Sequence, residues 1–374
     1  MKTKIGIFGN GQLGAMLAEA AREFDAEIHF FADSPTKTCA GLGEQHLGSI
    51  YTPEDVAKFI KRCDVITFES ENTDTTPLQA FDPSKFSPSL ATIKICQDRL
   101  YEKQFVRKLN LKTAPFESVS NGNELHQAAS SLGFRGILKT RTLGYDGKGQ
   151  WRFCCPEDVA EICANVDWSS NRNGYIVEGF VEFKRELSII GARSRDGSTA
   201  FLPVAENVHQ HGMLIRSQPI GQSDAALQFR CESLLAAILK ELDYCGTLAV
   251  ELFDCDGDIL VNELAPRVHN SGHWSIEGYT HSQFQLHIAA ILGKELHAPV
   301  PKGFSCMYNV IGNHLNSVEL SLHSNIFLHD YHKESRKNRK LGHVTVVTAN
   351  EREMMDTCRS IESAIASSKC LPVK

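Results

Sequence analysis

Two glutamates with the spacing of a β-hairpin are well suited to hold a cation. The pattern predicts strands at 247–253 and 258–264, joined by a tight Asp-Cys-Asp-Gly turn. Antiparallel pairing places Glu251 opposite Glu263, or, in a register shifted by one residue, opposite Asn262 with Glu263 in diagonal reach. Two facing carboxylates repel each other unless a cation lies between them. Because these ligands are all oxygen atoms, we expect Mg²⁺ and the phosphates of a nucleotide; the alternative is a hairpin whose polar residues face water.

A cationic, glycine-rich loop precedes the hairpin in the sequence. Three glycines fall within residues 144–149, with Lys139 before the loop and Lys148 inside it. Glycines give a loop conformational freedom and lysines attract anions, so we expect this loop to close over phosphates. It lacks the Gly-Lys-Ser/Thr order of a P-loop. An exposed β-turn is the alternative interpretation.

A cluster of polar residues follows the hairpin directly. Arg267, His269, Asn270 and His273 fall within eight residues around Gly272. So many potential ligands on one loop favour binding over a simple connection. A metal site formed by His269 and His273 is the rival hypothesis, but the nearby proline and glycine oppose a helix that would align positions i and i+4.

A run of cations lies towards the C-terminal end, with five lysines and arginines in residues 333–340. Most such runs are solvated surface. In an acidic chain, however, this run would suit a phosphorylated substrate.

The elements that must position these residues begin with an α/β pattern. An apolar strand at 4–8 runs into Gly-Asn-Gly-Gln-Leu-Gly, which opens a helix at 13–24, and a second strand at 27–32 ends in Asp33. This arrangement nominally fits a dinucleotide site, although such glycines serve any small phosphate held at a helix N-terminus. A third strand at 65–68 ends in Glu-Ser-Glu-Asn, at the carboxyl end where open α/β sheets bind ligands.

Helices and strands alternate through the rest of the chain. A Thr-Ala-Pro segment at 113–115 interrupts a helical pattern and marks a domain boundary. A strand at 175–180 and the start of the next one carry Glu178 and Glu186, which could bind an adenine and its ribose or belong to an ordinary strand connection. Further helices are predicted at 93–109, 124–132, 224–242 and 282–292, and further strands at 136–139, 187–192, 307–312 and 343–348.

Composition places the chain among ordinary globular proteins. Its 374 residues suggest two or three domains, and 42% are hydrophobic and 22% charged. A net charge of −6 argues against a nucleic-acid partner. No apolar run reaches the roughly 18 residues that cross a bilayer, and the N-terminus lacks the pattern of a signal peptide. We therefore expect a cytoplasmic protein without a membrane partner.

The twelve cysteines show no Cys-x-x-Cys pair and are scattered along the chain apart from an adjacent pair at 154 and 155. In a long cytosolic chain this pattern predicts reduced, mostly buried thiols.

Together these segments resemble the ATP-grasp superfamily and, within it, the N5-carboxyaminoimidazole ribonucleotide synthetase family of purine biosynthesis. The likeness rests on Gly-Asn-Gly-Gln-Leu-Gly at 9–14, Gln-Asp-Arg at 97–99, Gly-Tyr-Asp-Gly-Lys-Gly-Gln at 144–150, Asn-Glu-Leu-Ala-Pro-Arg-Val-His-Asn-Ser-Gly-His-Trp at 262–274 and Arg-Lys-Leu-Gly-His at 339–343. The run at 262–274 is the most specific, because related carboxylases and ligases share its acidic start but not its tail.

The resemblance implies a mixed α/β and α+β architecture, an ATP-grasp fold with an N-terminal Rossmann-like (pre-ATP-grasp) domain and a small β-rich C-terminal subdomain. The implied boundaries are 1–112, 113–181 for the lid, 182–305 for the catalytic subdomain, and 306–374. The implied reaction consumes ATP, bicarbonate and 5-aminoimidazole ribonucleotide, and forms ADP, phosphate and the N5-carboxylated ribonucleotide by way of carboxyphosphate or CO₂ released from it. The resemblance also favours a homodimer.

The resemblance further implies a role for individual residues. Those implied in ATP binding are Arg99, Lys139, Gly144, Tyr145, Asp146, Gly147, Lys148, Gly149, Gln150, Glu178, Gly179, Phe180, Val181, Glu186, His209, Asn262 and Glu263. Those implied in ribonucleotide binding are Gly11, Gln12, Leu13, Asp146, Arg267, His273, Lys333, Arg339 and Lys340. Catalytic roles fall to Arg267, His273 and Asp146, and Mg²⁺ ligation to Glu251 and Glu263.

Three positions depart from the family pattern. Leu143 stands where a second glycine is expected, Lys337 and Asn338 replace an expected Pro-Gly, and Ser275 replaces a common threonine. None of them removes an implied ligand, so they bear on turnover more than on the chemistry.

Three other functions compete with this one. A formate-dependent purine transformylase would share the fold. A nicotinamide-dependent oxidoreductase would use the N-terminal glycines but leave the glutamate hairpin and the lysine loop without a role. A catalytically inactive nucleotide-binding module would not need Glu251, Glu263 and Lys139, which are all present.

Overall fold

Among the residues that the structure describes, three β-sheets with four, nine and four strands organise the chain. The computed structural model describes residues 2–144, 149–169, 171, 173–221, 223–315 and 324–368. Within these ranges, none of the helices combines the length and apolar character needed to cross a bilayer.

The N-terminal domain is a parallel sheet flanked by helices. Its elements are β1 (Thr3–Phe8), α1 (Gln12–Ala21), β2 (Ala26–Ala32), β3 (Glu44–Leu47), α2 (Pro53–Arg62), β4 (Val65–Phe68) and α3 (Leu90–Gln97). The strand order is β3-β2-β1-β4, and the short edge strand β3 was not predicted. Because β1 and β4 are parallel neighbours, the glycine turn after β1 and the polar residues after β4 meet at one edge of the sheet.

The helix predicted at 93–109 is in fact two helices, α3 and α4 (Arg99–Lys108). They meet at Asp98, whose φ of −119° and ψ of 110° are not helical. Its Oδ1 accepts a hydrogen bond of 3.0 Å from the amide of Leu100 and so caps α4. An aspartate inside a helix competes for backbone hydrogen bonds, which is why the single-helix prediction was wrong.

An antiparallel sheet covered by two helices forms the predicted lid region. Its elements are β5 (Phe116–Val119), α5 (Gly122–Ser131), β6 (Gly136–Thr140), β7 (Gln150–Phe153), α6 (Pro156–Asn165) and β8 (Tyr175–Gly179). The strand order is β5-β8-β6-β7. The glycine-rich loop connects β6 to β7, so its two ends lie side by side, with Lys139 paired to Gln150.

The nine-stranded sheet carries the glutamate hairpin. Its strands, with the helices between them, are β9 (Arg185–Arg193), β10 (Thr199–Phe201), β11 (Ala205–Gln210), β12 (Met213–Pro219), α7 (Ala225–Glu241), β13 (Gly246–Cys255), β14 (Asp258–Ala265), α8 (Ser275–Gly278), α9 (Gln283–Ile291), β15 (Phe304–Ile311), β16 (Ile326–Asp330), β17 (Lys340–Thr348) and α10 (Glu351–Ser367). The strand order is β14-β13-β9-β11-β12-β15-β17-β16, with β10 paired to β9.

The C-terminal strands continue this large sheet, because β15 pairs with β12. Strand β16 and helix α10 were not predicted from the sequence. Helix α10 packs on β15 and β17 through Met354, Ile361 and Ile365, all at most 2% exposed. The C-terminal region therefore has its own apolar core but shares its sheet with the catalytic region.

Helix α7 packs against one face of the hairpin. Leu248, Val250 and Leu252 of β13 are buried in the same core as the α7 residues Leu235 and Ile238. Full burial of each such side chain contributes about 1.5–3 kcal/mol. Because side chains alternate along a strand, this packing turns the residue between Val250 and Leu252, a glutamate, to the opposite face.

Candidate active site

A cavity of about 1120 Å³ lies where the three sheets meet. The N-terminal domain contributes Gln12, Leu13, Ser70, Glu71, Asn72 and Arg99 to its wall; the lid sheet and the segment after it contribute Ile137, Lys139, Gln150, Arg152, Glu178, Gly179, Phe180 and Val181; the large sheet and its loops contribute Glu186, His209, Glu251, Asn262, Glu263, Arg267, His269, Asn270 and Lys340. Most of the residues implied by the family resemblance therefore come together, although they span most of the chain.

The hairpin contains both registers that the sequence allowed. Glu251 pairs with Glu263, whereas beyond that pair Leu252 lies opposite Val261, so the register shifts by one residue. Asn262 is the extra residue of this β-bulge. Adjacent residues on a regular strand point to opposite faces, but Asn262 and Glu263 both line the cavity, which the bulge makes possible.

The two carboxylates of the hairpin and the Asn262 amide line the same cavity. The Glu251 side chain is 22% exposed and lies 3.5 Å from His269 Nε2. The pKa of Glu251 is raised to about 7, mainly by burial and also by the neighbouring Glu263 and Glu186, while the cationic form of His209 opposes them. A largely buried Glu251 carboxylate that resists ionisation without a cation fits a divalent ion, and the oxygen donors suit Mg²⁺.

Glu178 lies between two lysines at the floor of the cavity. Its Oε2 is 3.0 Å from Lys139 Nζ and 3.2 Å from Lys103 Nζ. Burial raises the pKa of Glu178, but Lys103 and Lys139 together outweigh burial and hold it at about 2. Within the part of the chain that the structure describes, Oε1 has no hydrogen-bond partner although it is buried. This ionised oxygen is free to accept a hydrogen bond from a ligand.

Arg99 links the start of the glycine-rich loop to the hairpin. Its guanidinium donates to the carbonyl oxygens of Thr140 at 3.3 Å and Gly144 at 2.9 Å. Its Nη2 also lies 3.9 Å from Glu263 Oε2. Arg99 therefore joins Thr140 and Gly144, at the start of the loop, to Glu263 of the hairpin. The predicted loop residues Tyr145, Asp146, Gly147 and Lys148 lie outside the described residues, whereas Gly149 and Gln150 lie beside β6.

The wall beyond the lid sheet combines polar and aromatic groups. Phe180 is 44% exposed. Phe183 and Phe253 stack with their ring centroids 4.7 Å apart. Across from them, Glu186 Oε2 lies 3.0 Å from His209 Nδ1. Apolar surfaces beside a carboxylate and an imidazole can accept the flat ring and the hydroxyls of a nucleoside.

The loop after the hairpin is anchored to the N-terminal domain. Arg267 donates two hydrogen bonds to the carboxylate of Glu71, one from Nε and one from Nη2, the latter at 2.9 Å. Burial raises the pKa of Glu71, but Arg267 outweighs burial and holds it below its usual value. This bidentate pair fixes the guanidinium at the cavity wall.

His273, which is predicted to contact the substrate, is not among the described residues that line the cavity. Its side chain is 1% exposed. The ring lies against His343, with centroids 4.7 Å apart, and against Phe284 at 5.6 Å. Its Nδ1 is within 3.2 Å of the Gln283 amide nitrogen, and that side-chain amide also donates to the carbonyl oxygen of His269. His273 thus supports the loop from behind.

The rival hypothesis of a His269–His273 metal pair finds no support. Among the described residues, neither histidine belongs to a group of three or more potential ligands close enough to share an ion. Instead, His269 Nδ1 lies 2.9 Å from the Ser271 hydroxyl, and its Nε2 faces Glu251.

The glycine turn after β1 binds a carboxylate of the protein itself. The Glu69 carboxylate accepts hydrogen bonds of 2.6 Å from the Gly11 amide and 3.2 Å from the Leu13 amide. These are amides that a dinucleotide pyrophosphate would need at a helix N-terminus. The geometry therefore opposes the nicotinamide hypothesis.

The basic run divides into residues near the cavity and residues away from it. Lys340 lines the wall, and the Lys333 ammonium donates to the Gln12 side chain at 2.5 Å. Arg339, in contrast, is not at the wall; its guanidinium donates to the Glu334 carbonyl oxygen at 3.3 Å. The predicted phosphate site thus has two of its three cations at or beside the cavity in this conformation.

Two of the departures from the family pattern have left-handed backbone conformations. Leu143 has a φ of 64° and Asn338 a φ of 61°, which explains why glycine is expected at both positions. Asparagine tolerates this conformation well, whereas leucine adopts it at a cost.

Sequence reasoning missed the roles of Lys103, Glu69 and Glu71. A signal existed for Lys103, which follows Arg99 by four positions and so lies on the same face of a helix. Glu71 was noted only as a polar residue at a strand end. Its pairing with a residue almost 200 positions away is a tertiary feature without a local signal.

Comparison with known proteins gives three family matches along the chain. A ribonucleotide synthetase preATP-grasp domain matches residues 1–97, an ATP-grasp domain matches residues 104–284, and a phosphoribosylaminoimidazole carboxylase C-terminal domain matches residues 305–357. The three matches follow one another without overlap.

Similar proteins cover nearly the whole chain. The N5-carboxyaminoimidazole ribonucleotide synthase of Pseudomonas aeruginosa is 36% identical over 365 residues, which cover 97% of this chain and 99% of the relative. The crystal structure of the corresponding synthetase from Thermus thermophilus superposes with a TM-score of 0.88 at 34% identity, covering 99% of this chain and 100% of that one. The Aspergillus clavatus synthase, in complex with ADP and 5-aminoimidazole ribonucleotide, has a TM-score of 0.87 at 27% identity and covers 98% and 99% of the two chains. The chain therefore belongs to the N5-carboxyaminoimidazole ribonucleotide synthase family, whose members are ligases with an ATP-grasp fold.

Proposed function

We propose that this enzyme carboxylates 5-aminoimidazole ribonucleotide with bicarbonate at the expense of ATP, giving N5-carboxyaminoimidazole ribonucleotide, ADP and phosphate. The observation that carries the proposal is the shared cavity, in which the hairpin carboxylates, the lysine-paired Glu178 and the Arg267 loop all meet. The Aspergillus relative, bound to ADP and to the ribonucleotide, has the same fold.

ATP lies along the lid side of the cavity in this proposal. The adenine stacks near Phe180 and Val181, the free Oε1 of Glu178 accepts a hydrogen bond from the adenine amine, and Glu186 with His209 holds the ribose. Lys139, Arg99 and the loop 144–150 hold the phosphates. Phosphoryl transfer depends mainly on such positioning and charge neutralisation.

Glu251 and Glu263, with Asn262 beside them, would hold Mg²⁺. The raised pKa of Glu251 and the oxygen-only donor set support this assignment. When bound, the ion neutralises the charge of the phosphates and of the transferred phosphoryl group. Arg99, which lies near Glu263, adds a fixed positive charge on the same side.

The ribonucleotide lies between the glycine turn and the hairpin loop. Gly11, Gln12 and Leu13 would border it on the side of the N-terminal domain, and Lys333 and Lys340 would face its phosphate; Arg339 would join these two lysines if its loop moves inward. Arg267, fixed by Glu71, would face the reacting end. Asp146, for which the resemblance implies a catalytic role, is kept in this proposal. His273 keeps a positioning role only, because its ring is buried behind the loop.

The proposed reaction runs in two steps. A bicarbonate oxygen attacks the γ-phosphorus of ATP, the bond to the β–γ bridging oxygen breaks, and ADP leaves with carboxyphosphate as the product. The amine of the ribonucleotide then attacks the carboxyl carbon, or CO₂ released from carboxyphosphate; phosphate leaves and the nitrogen loses a proton. Because carboxyphosphate reacts with water, the loop 144–150 must close the cavity during both steps.

We retain four further predictions as part of the proposal: a homodimer, a cytoplasmic location, bicarbonate as the carboxyl donor, and domain boundaries after residues 112, 181 and 305.

A phosphate-release assay tests the proposal. The enzyme is given ATP and Mg²⁺, and 5-aminoimidazole ribonucleotide and bicarbonate are added singly and together. We expect full turnover only with all four components, with one N5-carboxylated product formed for each phosphate released. Turnover that needs formate and ignores bicarbonate would instead indicate the transformylase. Saturable binding of NAD(P)H in a fluorescence titration would revive the oxidoreductase.

A further inference from the structure

A second group of potential metal ligands lies at the edge of the N-terminal sheet, outside the active-site cavity. Strands β2 and β3 are parallel there, with His29 beside Glu44 and Phe31 beside His46. Side chains two residues apart on a strand point to the same face, and paired residues of parallel strands share a face. The pleat therefore sends Glu27, His29, Glu44 and His46 to the same side of the sheet.

Three ligand atoms of this group converge. His29 Nδ1 lies 2.9 Å from His46 Nε2. Glu44 Oε2 lies 3.5 Å from the first nitrogen and 3.6 Å from the second. An ion placed among three atoms with these separations would lie about 2 Å from each of them. This matches Zn–N and Zn–O distances of about 2.0–2.2 Å.

The fourth residue, Glu27, lies beside the other ring nitrogen of His29. Its Oε1 is 3.0 Å from His29 Nε2 but does not form a hydrogen bond with it among the described residues. A small rotation of the carboxylate would let an Nε2–H donate to it, which leaves the Nδ1 lone pair facing His46 and Glu44. A carboxylate on the second nitrogen is the usual partner of a metal-binding histidine, because it fixes the tautomer and strengthens the ligand.

Burial adds to the fit. His29 is 1% exposed, and the ring of His46 packs on Phe59 of α2 with centroids 5.6 Å apart. The Glu44 side chain is 58% exposed, so the group is closed on the protein side and open towards solvent. A cavity of about 530 Å³ borders His46 on the side of α2.

We propose that His29, His46 and Glu44 form a binding site for a divalent transition metal, Zn²⁺, with Glu27 as the supporting carboxylate and a water at the open position. Two imidazoles and one carboxylate are a common zinc donor set, and they distinguish this site from the oxygen-only pair Glu251 and Glu263. The site would join the short edge strand β3 to β2, in a place where sheet edges need protection. The inference does not depend on the proposed function.

Zn²⁺ titration of the chelator-treated enzyme tests the site, with a chromophoric chelator as competitor and with Mg²⁺ and ADP in excess to fill the active-site cavity. We expect one tight Zn²⁺ per chain. Glu44→Gln and His46→Ala should each weaken binding by more than about 10-fold, and Glu27→Gln by about 10- to 100-fold, as for other supporting carboxylates. His46 and Glu44 lie on an edge strand, so their substitution should spare the fold, which circular dichroism checks.

Two control variants separate this site from its competitors. Cys154, Cys155 and Asp158 form the other candidate group among the described residues, and His281 lies near His297 with ring centroids 5.4 Å apart. Cys155→Ser and His297→Ala should leave the Zn²⁺ affinity unchanged. Loss of tight binding in either control, with affinity kept in His46→Ala, would overturn the assignment.

Cobalt substitution gives a readout that does not depend on affinity. A Co²⁺ ion in a site of two imidazoles and a carboxylate should show visible d–d bands without thiolate charge transfer, and His46→Ala should abolish them. A spectrum with thiolate charge transfer, or the absence of any stoichiometric Zn²⁺ binding by the unmodified enzyme, would contradict the proposal.

Discussion

Arg267 and Glu71 form a bidentate ion pair that joins the loop after the glutamate hairpin to the carboxyl end of β4. The two residues belong to different domains, and both line the active-site cavity. The pair therefore connects the proposed substrate loop to the N-terminal domain. It also fixes the orientation of the Arg267 guanidinium, which is proposed to face the reacting end of the ribonucleotide. Neither residue can be replaced by a similar one without loss of this geometry.

The ion pair predicts strong coupling between substitutions. Arg267→Lys keeps the charge but loses the planar fork, so kcat/KM for the ribonucleotide should fall by about 10- to 100-fold, the cost of a charged hydrogen bond. Glu71→Gln should do the same. In a double-mutant cycle on kcat/KM, we expect a coupling energy of about 1–3 kcal/mol. Strictly additive effects would show that the two residues act independently.

Loss of one hairpin carboxylate should abolish chemistry and spare the fold. Glu263→Gln removes a proposed Mg²⁺ ligand but little packing, because its side chain is 44% exposed. Phosphate release should drop to near background while the thermal unfolding midpoint stays close to that of the unmodified enzyme. The matched control is Glu241→Gln, a 41% exposed surface glutamate, which should keep full activity. Near-normal turnover of Glu263→Gln would refute the metal assignment.

The basic run should act on one substrate only. Lys333→Ala should raise KM for the ribonucleotide by about 10-fold or more, while KM for ATP changes little, because Lys333 lies at the glycine turn and not at the lid. Lys337→Ala removes an exposed lysine four positions further along, and it should change neither constant. Equal effects of Lys333→Ala on both substrates would place its charge elsewhere than at the ribonucleotide phosphate.

His287 should make the fold sensitive to mild acid. Its Nδ1 accepts a hydrogen bond of 3.1 Å from the Thr247 amide of β13, and its Nε2 lies 2.8 Å from the Thr67 hydroxyl of β4. Burial lowers the pKa of His287 to about 4. Below pH 6.5, therefore, the imidazole becomes protonated in the unfolded chain while it stays neutral in the folded chain. The contribution of neutral His287 to the free energy of unfolding is thus complete above pH 6.5, and it is lost as the pH falls from 6.5 towards 4.

The measurement is the free energy of unfolding in urea at pH 7.5 and pH 5.0. The titration of His287 should lower it by about 2 kcal/mol between these values. His287→Gln can keep both hydrogen bonds but cannot titrate, so its pH dependence should be smaller by that amount. His126→Gln, at an exposed position of α5, serves as the control and should behave like the unmodified enzyme. Identical pH dependence of His287→Gln would rule out this role.

Leu143 should be a source of backbone strain in the glycine-rich loop. Its φ is 64° and its side chain is 69% exposed, so the residue accepts a left-handed conformation without burying its apolar surface. Leu143→Gly should therefore be more stable than Leu143→Ala by about 1 kcal/mol, since only glycine adopts this conformation freely. The comparison uses unfolding midpoints of the two variants. Equal stability would show that position 143 leaves the left-handed region in solution.

The sequence determined the local parts of the site by itself. The period of two along the hairpin predicted both strands, and pairing across a short turn predicted that Glu251 and Glu263 face each other, as they do. The glycine turn and the strand that ends before Glu69 were likewise found, because each depends on residues close together in the chain. The two competing registers could not be resolved from the pattern, since a bulge allows both.

Only the tertiary structure decided how these parts meet. The joining of Glu71 to Arg267, the placement of Glu178 between Lys103 and Lys139, and the burial of His273 depend on contacts between distant segments. Such contacts arise from the packing of whole sheets and helices and leave no periodic trace in the chain. The same holds for Glu69, whose carboxylate fills the turn that the glycines alone suggested was open to a phosphate.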